Sequence, residues 1–429
     1  SFASLVLAGS LASHAATLAW LTDGQVQTRT LSSAPQPETV PLGSLWKLYA
    51  YAYLVETQAS EHAYTCPARP MKAGDENLHC CAPGETVGRD LALARSCSPY
   101  FSPQRLGISA TDWRTFWQRH AMPDWLGDLG RMQPATTIPL PELLHSLRAF
   151  SPAMREAART ALLHAAVEGN GREAWPALGT GIRYKTYSWH DATGRALGGA
   201  AGWLVDGTPF WFGATGSSRS ALGQWAGQIA SALPETRADA LPQESTCVDV
   251  DFFARYPLRA VWRGKEAARA GRMTGTYRLE FANGNNLTIH PRGDLFLQTG
   301  DSPTITGRFG LNEYIARVIA REGDTAMPQA ASALAIAART YLTQNAAYAG
   351  GCWRIDDSTR SQRVSPNPPD RTALAAAWFT DALVLDGVPV QYHRDSAGEN
   401  RLYWQDARVQ ALAGWHFEHI LRADYPRSS

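Results

Sequence analysis

Ser44 and Lys47 lie three residues apart at the predicted start of a helix, a spacing that places both side chains on one face. The apolar run 48–55 predicts that helix, and Asp23-Gly24 between two alternating runs predicts a hairpin before it. A serine is a weak nucleophile until a base takes its proton, and a desolvated lysine can be that base. The pair therefore predicts acyl-transfer chemistry. An N-cap serine followed by an ordinary surface lysine is the commoner origin of this spacing.

Two later segments add reactive residue types to this pair, Ser96–Ser98 and Lys185–Tyr187. The second segment lies on the first of three predicted strands, at 182–188, 201–205 and 209–214. In this order the motifs resemble the penicillin-binding protein and serine β-lactamase superfamily. That superfamily carries Ser-x-x-Lys, then Ser-x-Asn, then Lys-Thr-Gly on an edge strand.

This resemblance implies a role for each residue that matches a motif. Ser44 would be the acylated nucleophile and Lys47 its base, and Ser96 would relay the proton. Lys185 and Thr186 would bind the carboxylate of the substrate. The implied substrates are stem peptides of the cell wall.

Two positions depart from the pattern of that superfamily. Ser98 stands where the family has Asn, and Tyr187 stands where it has Gly. The glycine lets a substrate backbone lie against the strand, whereas a tyrosine ring would fill the cleft. The sequence therefore leaves two interpretations of this half open, a working serine enzyme and a remnant that binds substrate or supports the structure.

Composition and charge narrow the class of protein. The chain has 429 residues, 45% of them hydrophobic, which is enough for two domains. A net charge of +1 and the lack of a basic stripe argue against nucleic acid as a partner. The sequence holds no apolar run long enough to span a bilayer. A segment with two prolines and no periodicity predicts a linker at 232–247, between domains at 1–231 and 248–429.

The N-terminus and the cysteines favour export. Residues 2–15 are typical of the end of a signal peptide, and a first helix packed on the sheet is the alternative. The six cysteines predict disulfides because their number is even and four of them cluster among turn residues. Zinc would need a ligand spacing that adjacent cysteines do not give. The cysteines are Cys66, Cys80, Cys81, Cys97, Cys247 and Cys352.

Disulfide partners follow in part from the positions of these cysteines. Neighbouring residues cannot easily pair with each other, so we expect Cys66 and Cys97 to take one each of Cys80 and Cys81. The bridge at Cys97 would then hold the Ser96 motif beside Ser44. The remaining two cysteines would link the predicted linker to the second half.

The second half begins with a hairpin turn at Asn283–Asn285, followed by helices predicted at 311–322 and 330–342. These helices resemble the stage II sporulation protein D family, whose members are peptidoglycan lytic transglycosylases. The matching segments are 313–315, 318–320, Glu322, 337–341, 357–362 and 390–400.

The resemblance implies that Glu322 is the catalytic acid, and it places Gln362, Tyr392 and Ser396 at the substrate. One carboxyl can protonate the leaving oxygen and then help the MurNAc 6-hydroxyl attack its own anomeric carbon. Such an acid needs a raised pKa, which an apolar pocket would supply. A helix-terminal glutamate paired with a neighbouring arginine is the plainer alternative.

Taken together, the residues predict an α+β protein with a β-lactamase-like domain followed by a smaller sporulation protein D-like domain. We predict a periplasmic or secreted lytic transglycosylase that needs no metal or cofactor and acts on glycan strands. Its first half would bind or modify stem peptides. Two alternatives remain, a serine DD-peptidase or β-lactamase-like enzyme with a glycan-binding second half, and a non-enzymatic envelope scaffold that binds a protein partner.

Overall fold

Two units make up the chain, Ser1–Arg237 and Ala238–Ser429. The structure is a computed structural model. It describes residues 16–32, 37–59, 63–68, 80–191, 193–236, 238–393 and 398–428. Both units combine helices with antiparallel strands, so the α+β prediction is confirmed. The predicted signal segment and Ser396 lie outside the described residues.

A five-stranded antiparallel sheet, in the order β2-β1-β9-β8-β7, forms the centre of the first unit. The strands of this unit are β1 Ala16–Thr22, β2 Gln25–Thr30, β3 Thr39–Pro41, β4 Tyr64–Thr65, β5 Thr86–Val87, β6 Thr137–Pro139, β7 Arg183–His190, β8 Ala196–Trp203 and β9 Pro209–Thr215. Its helices are α1 Trp46–Thr57, α2 Arg89–Ala94, α3 Pro103–Leu106, α4 Ala110–Arg119, α5 Leu140–Arg148, α6 Pro152–Val167, α7 Trp175–Leu178 and α8 Ser218–Ala232.

The predicted hairpin forms as β1 and β2. Asp23 and Gly24 both have positive φ, 50° and 78°, as a tight Asp-Gly turn requires. The second strand of the later meander was predicted at 201–205 but runs from Ala196 to Trp203. Its glycines read as a turn in the sequence. In the structure a Cβ at Gly199 would lie 1.9 Å from the carbonyl oxygen of Phe212, so glycine is needed for the strands to approach.

Helices cover both faces of this sheet. One face packs against α1, α4, α5 and α6 through an aromatic-rich core. The other face packs against α7 and α8. In the first core the ring of Tyr49 lies edge-on to Trp117, Trp125 and Phe150. These contacts pack α1 against the neighbouring helical segments, and α1 begins two residues after Ser44.

The second unit is built on a six-stranded sheet in the order β13-β16-β17-β10-β19-β18 and a smaller four-stranded sheet. Its strands are β10 Cys247–Phe252, β11 Leu258–Arg263, β12 Glu266–Ala267, β13 Gly271–Thr274, β14 Tyr277–Phe281, β15 Asn286–Ile289, β16 Arg292–Gln298, β17 Thr304–Gly310, β18 Ala347–Ala349, β19 Cys352–Asp356, β20 Gln391–His393 and β21 Arg401–Tyr403. Its helices are α9 Leu311–Glu322, α10 Pro328–Asn345, α11 Arg371–Phe379, α12 Trp404–Leu412 and α13 Phe417–Asp424.

The two predicted helices of this unit are confirmed as α9 and α10. Helix α10 is the central element, because every residue from Ala330 to Thr340 is buried. It packs against α9, α11, α12 and α13. The many alanines in α10 let these neighbours approach closely, which fixes α9 and its terminal Glu322 against a rigid support.

All six cysteines form disulfides. Cys66 pairs with Cys81 and Cys80 with Cys97, so each of the adjacent cysteines takes a separate partner as predicted. Cys247 pairs with Cys352, and these residues also face each other on the parallel strands β10 and β19. The bridge at Cys97 fixes the segment that contains Ser96.

Candidate active sites

Ser44 lies in a single 3-10 turn, Gly43–Leu45, immediately before α1. Lys47 follows one turn later, and its Nζ lies 3.1 Å from Ser44 Oγ. The Lys47 side chain is only 2% exposed. The spacing in the sequence therefore brings a candidate nucleophile and a buried amine within hydrogen-bond distance.

Ser96 lies at the C-terminal end of the short helix α2, and its φ of 58° is in the left-handed region. Helices commonly end on glycine at this position, because a Cβ is unfavourable there. The conformation turns two oxygens of one residue toward Lys47. Lys47 Nζ donates to the Ser96 carbonyl at 2.7 Å and lies 3.0 Å from Ser96 Oγ.

Lys185 reaches the same hydroxyl from the edge strand β7. Its Nζ lies 2.9 Å from Ser96 Oγ and donates to the carbonyl of Thr186 at 2.9 Å. Lys185 is 1% exposed, and Thr186 is buried as well. The structure thus brings Ser44, Lys47, Ser96 and Lys185 into one hydrogen-bonded chain, while the burial of Lys185 and Thr186 leaves little of either side chain open to a substrate.

Burial controls the charge of both amines. Desolvation lowers the pKa of Lys47 to about 7, so a neutral amine is available near neutral pH. Burial and the nearby charge of Lys47 hold the pKa of Lys185 well below its usual range. A neutral Lys47 can take the Ser44 proton, and Ser96 can pass a proton between the amines and a leaving group.

Tyr187, which the sequence predicted to fill the cleft, lies in the core instead. It is 2% exposed, and its ring is stacked with Trp211 at a centroid distance of 6.4 Å. Lys185 and Tyr187 are two residues apart on β7 and so share one face, which packs under the turn at Gly43. The Tyr187 side chain therefore packs against the turn that contains Ser44. Ser98 is half-buried.

The second cluster surrounds Glu322, the last residue of α9. Glu322 is half-buried, and its Oε1 accepts a hydrogen bond of 2.8 Å from the backbone amide of Arg363. Of the two arginines that could pair with Glu322, Arg317 donates instead to Glu313 and Asp294, whereas the charge of Arg321 acts on Glu322 and opposes the rise of its pKa. Glu322 therefore faces the loop that includes Gln362, as the sequence predicted.

Gln362 differs from its predicted role at the substrate. Its side chain is 0% exposed, and both ends of its amide are used within the protein. Tyr314 Oη donates to Oε1 at 2.5 Å, and Nε2 donates to the Ala338 carbonyl at 2.9 Å and to Tyr392 Oη at 2.8 Å. The amide therefore positions Tyr314 and Tyr392. Tyr392 itself is half-buried, and burial followed by the nearby charge of Glu322 raises the pKa of its hydroxyl.

Asp357 is the acidic neighbour of Glu322. Its Oδ1 accepts a hydrogen bond of 2.9 Å from the backbone amide of Val364. Burial raises the pKa of the Asp357 carboxyl. The pKa of Glu322 is also raised, mainly by burial and to a smaller extent by the charge of Asp357. The Arg363 amide and the charges of Arg363 and Arg321 oppose this shift. Burial is the largest contribution, so Glu322 resembles a carboxyl kept protonated for acid catalysis.

Glu244 and Arg317 hold the helix that carries Glu322, one at its N-terminus and the other near its middle. At the N-terminus, the two carboxylate oxygens of Glu244 accept hydrogen bonds of 2.8 and 2.9 Å from the amide of Asn312. Near the middle, the buried Arg317 donates to the carbonyls of Ser365 and Asn367. The loop that supplies the Arg363 amide is therefore tied to α9, which sets the position of Glu322.

The comparison with known proteins identifies relatives of the whole chain. It is 39% identical over 404 residues to the uncharacterized protein YfaQ of Escherichia coli (strain K12), and the match covers 93% of this chain and 72% of that protein. The chain belongs to the YfaQ family. Residues 73–196 match the family model described as "Predicted secreted protein (DUF2300)", and residues 300–376 match that described as "Stage II sporulation protein".

Solved structures are similar to about half of the chain, at much lower identity. The transpeptidase domain of a D,D-transpeptidase from Legionella pneumophila matches at 12% identity and a TM-score of 0.33, covering 51% of this chain and 88% of that one. A chromosome-encoded β-lactamase of Vibrio parahaemolyticus matches at 14% identity and a TM-score of 0.31, covering 51% and 93%.

These findings show a secreted, cell-wall-related protein, located in the periplasm or outside the cell. The three disulfides are consistent with that location. Among the described residues, no helix is both long enough and apolar enough to cross a membrane.

Sequence reasoning missed three contributors to the sites. Asp357 was noted within a matching segment, but nothing in the sequence indicated that its carboxyl lies near Glu322. Glu244 lies in the predicted linker, where no pattern pointed to a helix cap. The left-handed conformation of Ser96 had no signal in the sequence, because glycine or asparagine usually marks such a position after a helix.

Proposed function

We propose that the second unit is a peptidoglycan lytic transglycosylase with Glu322 as its single acid–base group. The observation that carries this proposal is the half-buried carboxyl at the end of α9, with a raised pKa and one oxygen fixed by the Arg363 amide. The fixed oxygen orients the carboxyl. The other oxygen is then available to hold the proton that catalysis needs.

The reaction needs no second carboxylate and no water. Glu322 gives its proton to the glycosidic oxygen, and the bond from that oxygen to the anomeric carbon of MurNAc breaks. The resulting carboxylate takes the proton of the MurNAc 6-hydroxyl, whose oxygen bonds to the anomeric carbon. The product carries a 1,6-anhydro ring, and Glu322 is protonated again.

A second candidate function belongs to the first unit. The chain of Ser44, Lys47, Ser96 and Lys185 favours acyl transfer to Ser44, with a stem peptide as the acyl donor. Neutral Lys47 would accept the Ser44 proton while Ser44 Oγ attacks the peptide carbonyl. The C–N bond of the peptide would then break, and the leaving amine would take that proton from Lys47 through Ser96. The Tyr187 ring is stacked with Trp211, and its hydroxyl donates to the Phe212 carbonyl.

Digestion of purified sacculi separates the candidates, with products measured by mass spectrometry. Transglycosylase activity releases anhydro-muropeptides, and peptidase activity shortens the stem peptides. An envelope scaffold would produce neither change, and that result would contradict both proposed activities.

A further inference from the structure

The outer face of the six-stranded sheet carries charged and aromatic side chains that the proposed chemistry does not use. Side chains alternate along each strand, so Val250 and Leu295 point to the core while their neighbours Asp251 and Phe296 point outward. This outer face contains a hollow of about 480 Å³, which is lined by residues of β10, β13, β16, β17 and β19.

One row of residues crosses this face from strand to strand. Arg272 faces Phe296 across β13 and β16, Phe296 faces Thr306, and Thr306 faces Asp251 on β10. Strands lie about 4.8 Å apart, so three steps separate Arg272 from Asp251 by about 14 Å. We name this set, Arg272, Phe296, Thr306 and Asp251, the cross-strand row.

The two ends of the row carry opposite charges without partners. Among the described residues, no side-chain hydrogen bond or ion pair involves the Arg272 guanidinium or the Asp251 carboxylate. The other acids nearby differ, because Asp249 accepts two hydrogen bonds from Arg308 at 2.6 and 3.0 Å, and Asp356 pairs with Arg255 at 3.6 Å. Phe296 lies between the two charges and is 52% exposed.

Local backbone geometry opens the hollow at one end of the row. The register between β13 and β16 shifts at Met273 and Thr274, and Gly293 on the opposite strand has a φ of 91°. Such a bulge bends a strand and turns side chains away from their regular direction. The bend leaves Arg272 at the rim of the hollow.

A second hollow, of about 240 Å³, connects the row with the Glu322 site. The two hollows share Asp251 and Arg354. The second is also lined by Tyr341, whose ring contacts that of Tyr392 at 6.0 Å, and by Asp356, the residue before Asp357. The second hollow therefore lies between the cross-strand row and residues that neighbour the Glu322 site.

We propose that the cross-strand row binds a short peptide that carries both a carboxylate and an ammonium group. The carboxylate would pair with Arg272 and the ammonium with Asp251, while an apolar side chain packs on Phe296. A peptide spans at most about 3.3–3.6 Å per residue, so four extended residues cover the distance. The hollow is lined by three arginines and three aspartates, and this balance of charge suits a ligand with both charges better than a polyanion.

The identity of this peptide rests on the proposed function. A glycan strand held at Glu322 carries stem peptides with both kinds of charge, so the row would hold the stem peptide next to the bond that is cut. The enzyme would then prefer peptide-bearing strands over bare glycan. This preference follows from opposite charges at a fixed separation, and such pairs give specificity as well as affinity.

Isothermal titration of the full chain with a free stem tetrapeptide tests the row without any catalysis. We expect Arg272→Gln and Asp251→Asn each to weaken binding about tenfold, since each removes a charge-assisted contact. Amidating the peptide carboxylates should weaken binding to the parent but not further to Arg272→Gln. Acetylating the peptide amine should likewise weaken binding to the parent but not weaken binding to Asp251→Asn any further. Lys265→Gln, on a turn of the other sheet, is the matched control.

The outcomes separate this proposal from the proposed function. Failure of the parent to bind the tetrapeptide, or equal binding by all three variants, would overturn the peptide site. Binding of an anionic glycan polymer at the row would also overturn the peptide site. The same holds for a concentration-dependent dimer that Phe296→Ser abolishes. The yield of anhydro products reports on Glu322 separately, and it is measured on whole sacculi and on glycan strands stripped of peptide. In the Arg272 and Asp251 variants, the yield from whole sacculi should fall and the yield from stripped strands should not change.

Discussion

Burial shifts the pKa values of the reactive groups in opposite directions in the two clusters. Around Ser44 the buried groups are amines, and desolvation lowers the pKa of Lys47 to about 7, which makes it a base. Around Glu322 the buried groups are carboxyls, and desolvation raises the pKa, which makes Glu322 an acid. In the proposed reactions, the same physical effect would prepare Lys47 to remove a proton and Glu322 to give one.

The clusters also differ in how they hold their reactive group. Ser96 Oγ lies within 3.0 Å of both lysine amines, so side chains meet at one hydroxyl. Glu322 is held by a backbone amide of a loop, and that loop is held by Arg317. We therefore expect side-chain changes to disrupt the Ser44 cluster directly, while the Glu322 cluster depends more on its loop.

Replacing Glu322 by Gln gives the largest expected effect. The change keeps the shape of the side chain and removes the proton donor, so release of anhydro-muropeptides should fall by about two to four orders of magnitude. Mass spectrometry of digested sacculi measures the loss. Glu266→Gln, an exposed glutamate of the same unit, should leave the rate unchanged. A Glu322→Gln rate equal to that of the parent would remove Glu322 from the chemistry.

Labelling of Ser44 by a fluorescent penicillin tests whether the buried amine of Lys47 acts as the base. Only the neutral amine of Lys47 can accept a proton, so the labelling rate should rise as the pH increases through about 7 and then level off. Lys47→Met should reduce labelling by at least about a hundredfold. Labelling that is independent of pH, or that persists in Lys47→Met, would show that Lys47 is not the base.

Asp357→Asn should shift the pH dependence of the second unit. Loss of the Asp357 charge removes one cause of the raised pKa of Glu322, so Glu322 would lose its proton at a lower pH. The alkaline limb of kcat/KM on sacculi should then move to lower pH, with a loss of about tenfold near pH 7 and a smaller loss in acid. A uniform loss at every pH would instead indicate that Asp357 only supports the loop.

The smallest effect concerns the backbone of Ser96. Ser96→Ala and Ser96→Gly lose the same hydroxyl, but only alanine keeps a Cβ at a φ of 58°. The glycine variant should therefore be more stable by about 1 kcal/mol in urea unfolding. At Ser231, within helix α8, the order should reverse because glycine is a poor helix former. Equal stability of the two Ser96 variants would contradict the strained conformation.

The sequence predicted the helices of the second unit well, because apolar residues at 311, 315, 318 and 319 follow one face and Pro328 begins the next helix. It placed β8 wrongly because glycines that allow close strand packing look like turn residues. The order of the motifs predicted that Ser44, Lys47, Ser96 and Lys185 lie close together, and their side chains are within hydrogen-bond distance.

Other features depend on contacts between distant residues, which no local pattern records. Gln362 reads as a loop residue, yet its buried amide joins two tyrosines. Tyr187 reads as an obstruction, yet its buried ring is stacked with Trp211 from another strand of the sheet. Side-chain direction relative to the core decides both cases, and residue type alone does not give it.

The central claim is that Glu322 cuts the glycan strand without water. Digestion of sacculi in ¹⁸O-labelled water tests it most directly, with the products analysed by mass spectrometry. We expect released muropeptides with 1,6-anhydro ends and no ¹⁸O at the cleaved bond, and we expect them to disappear in Glu322→Gln. Reducing ends that carry one ¹⁸O atom would show hydrolysis, which would contradict the single-carboxyl mechanism proposed for this site.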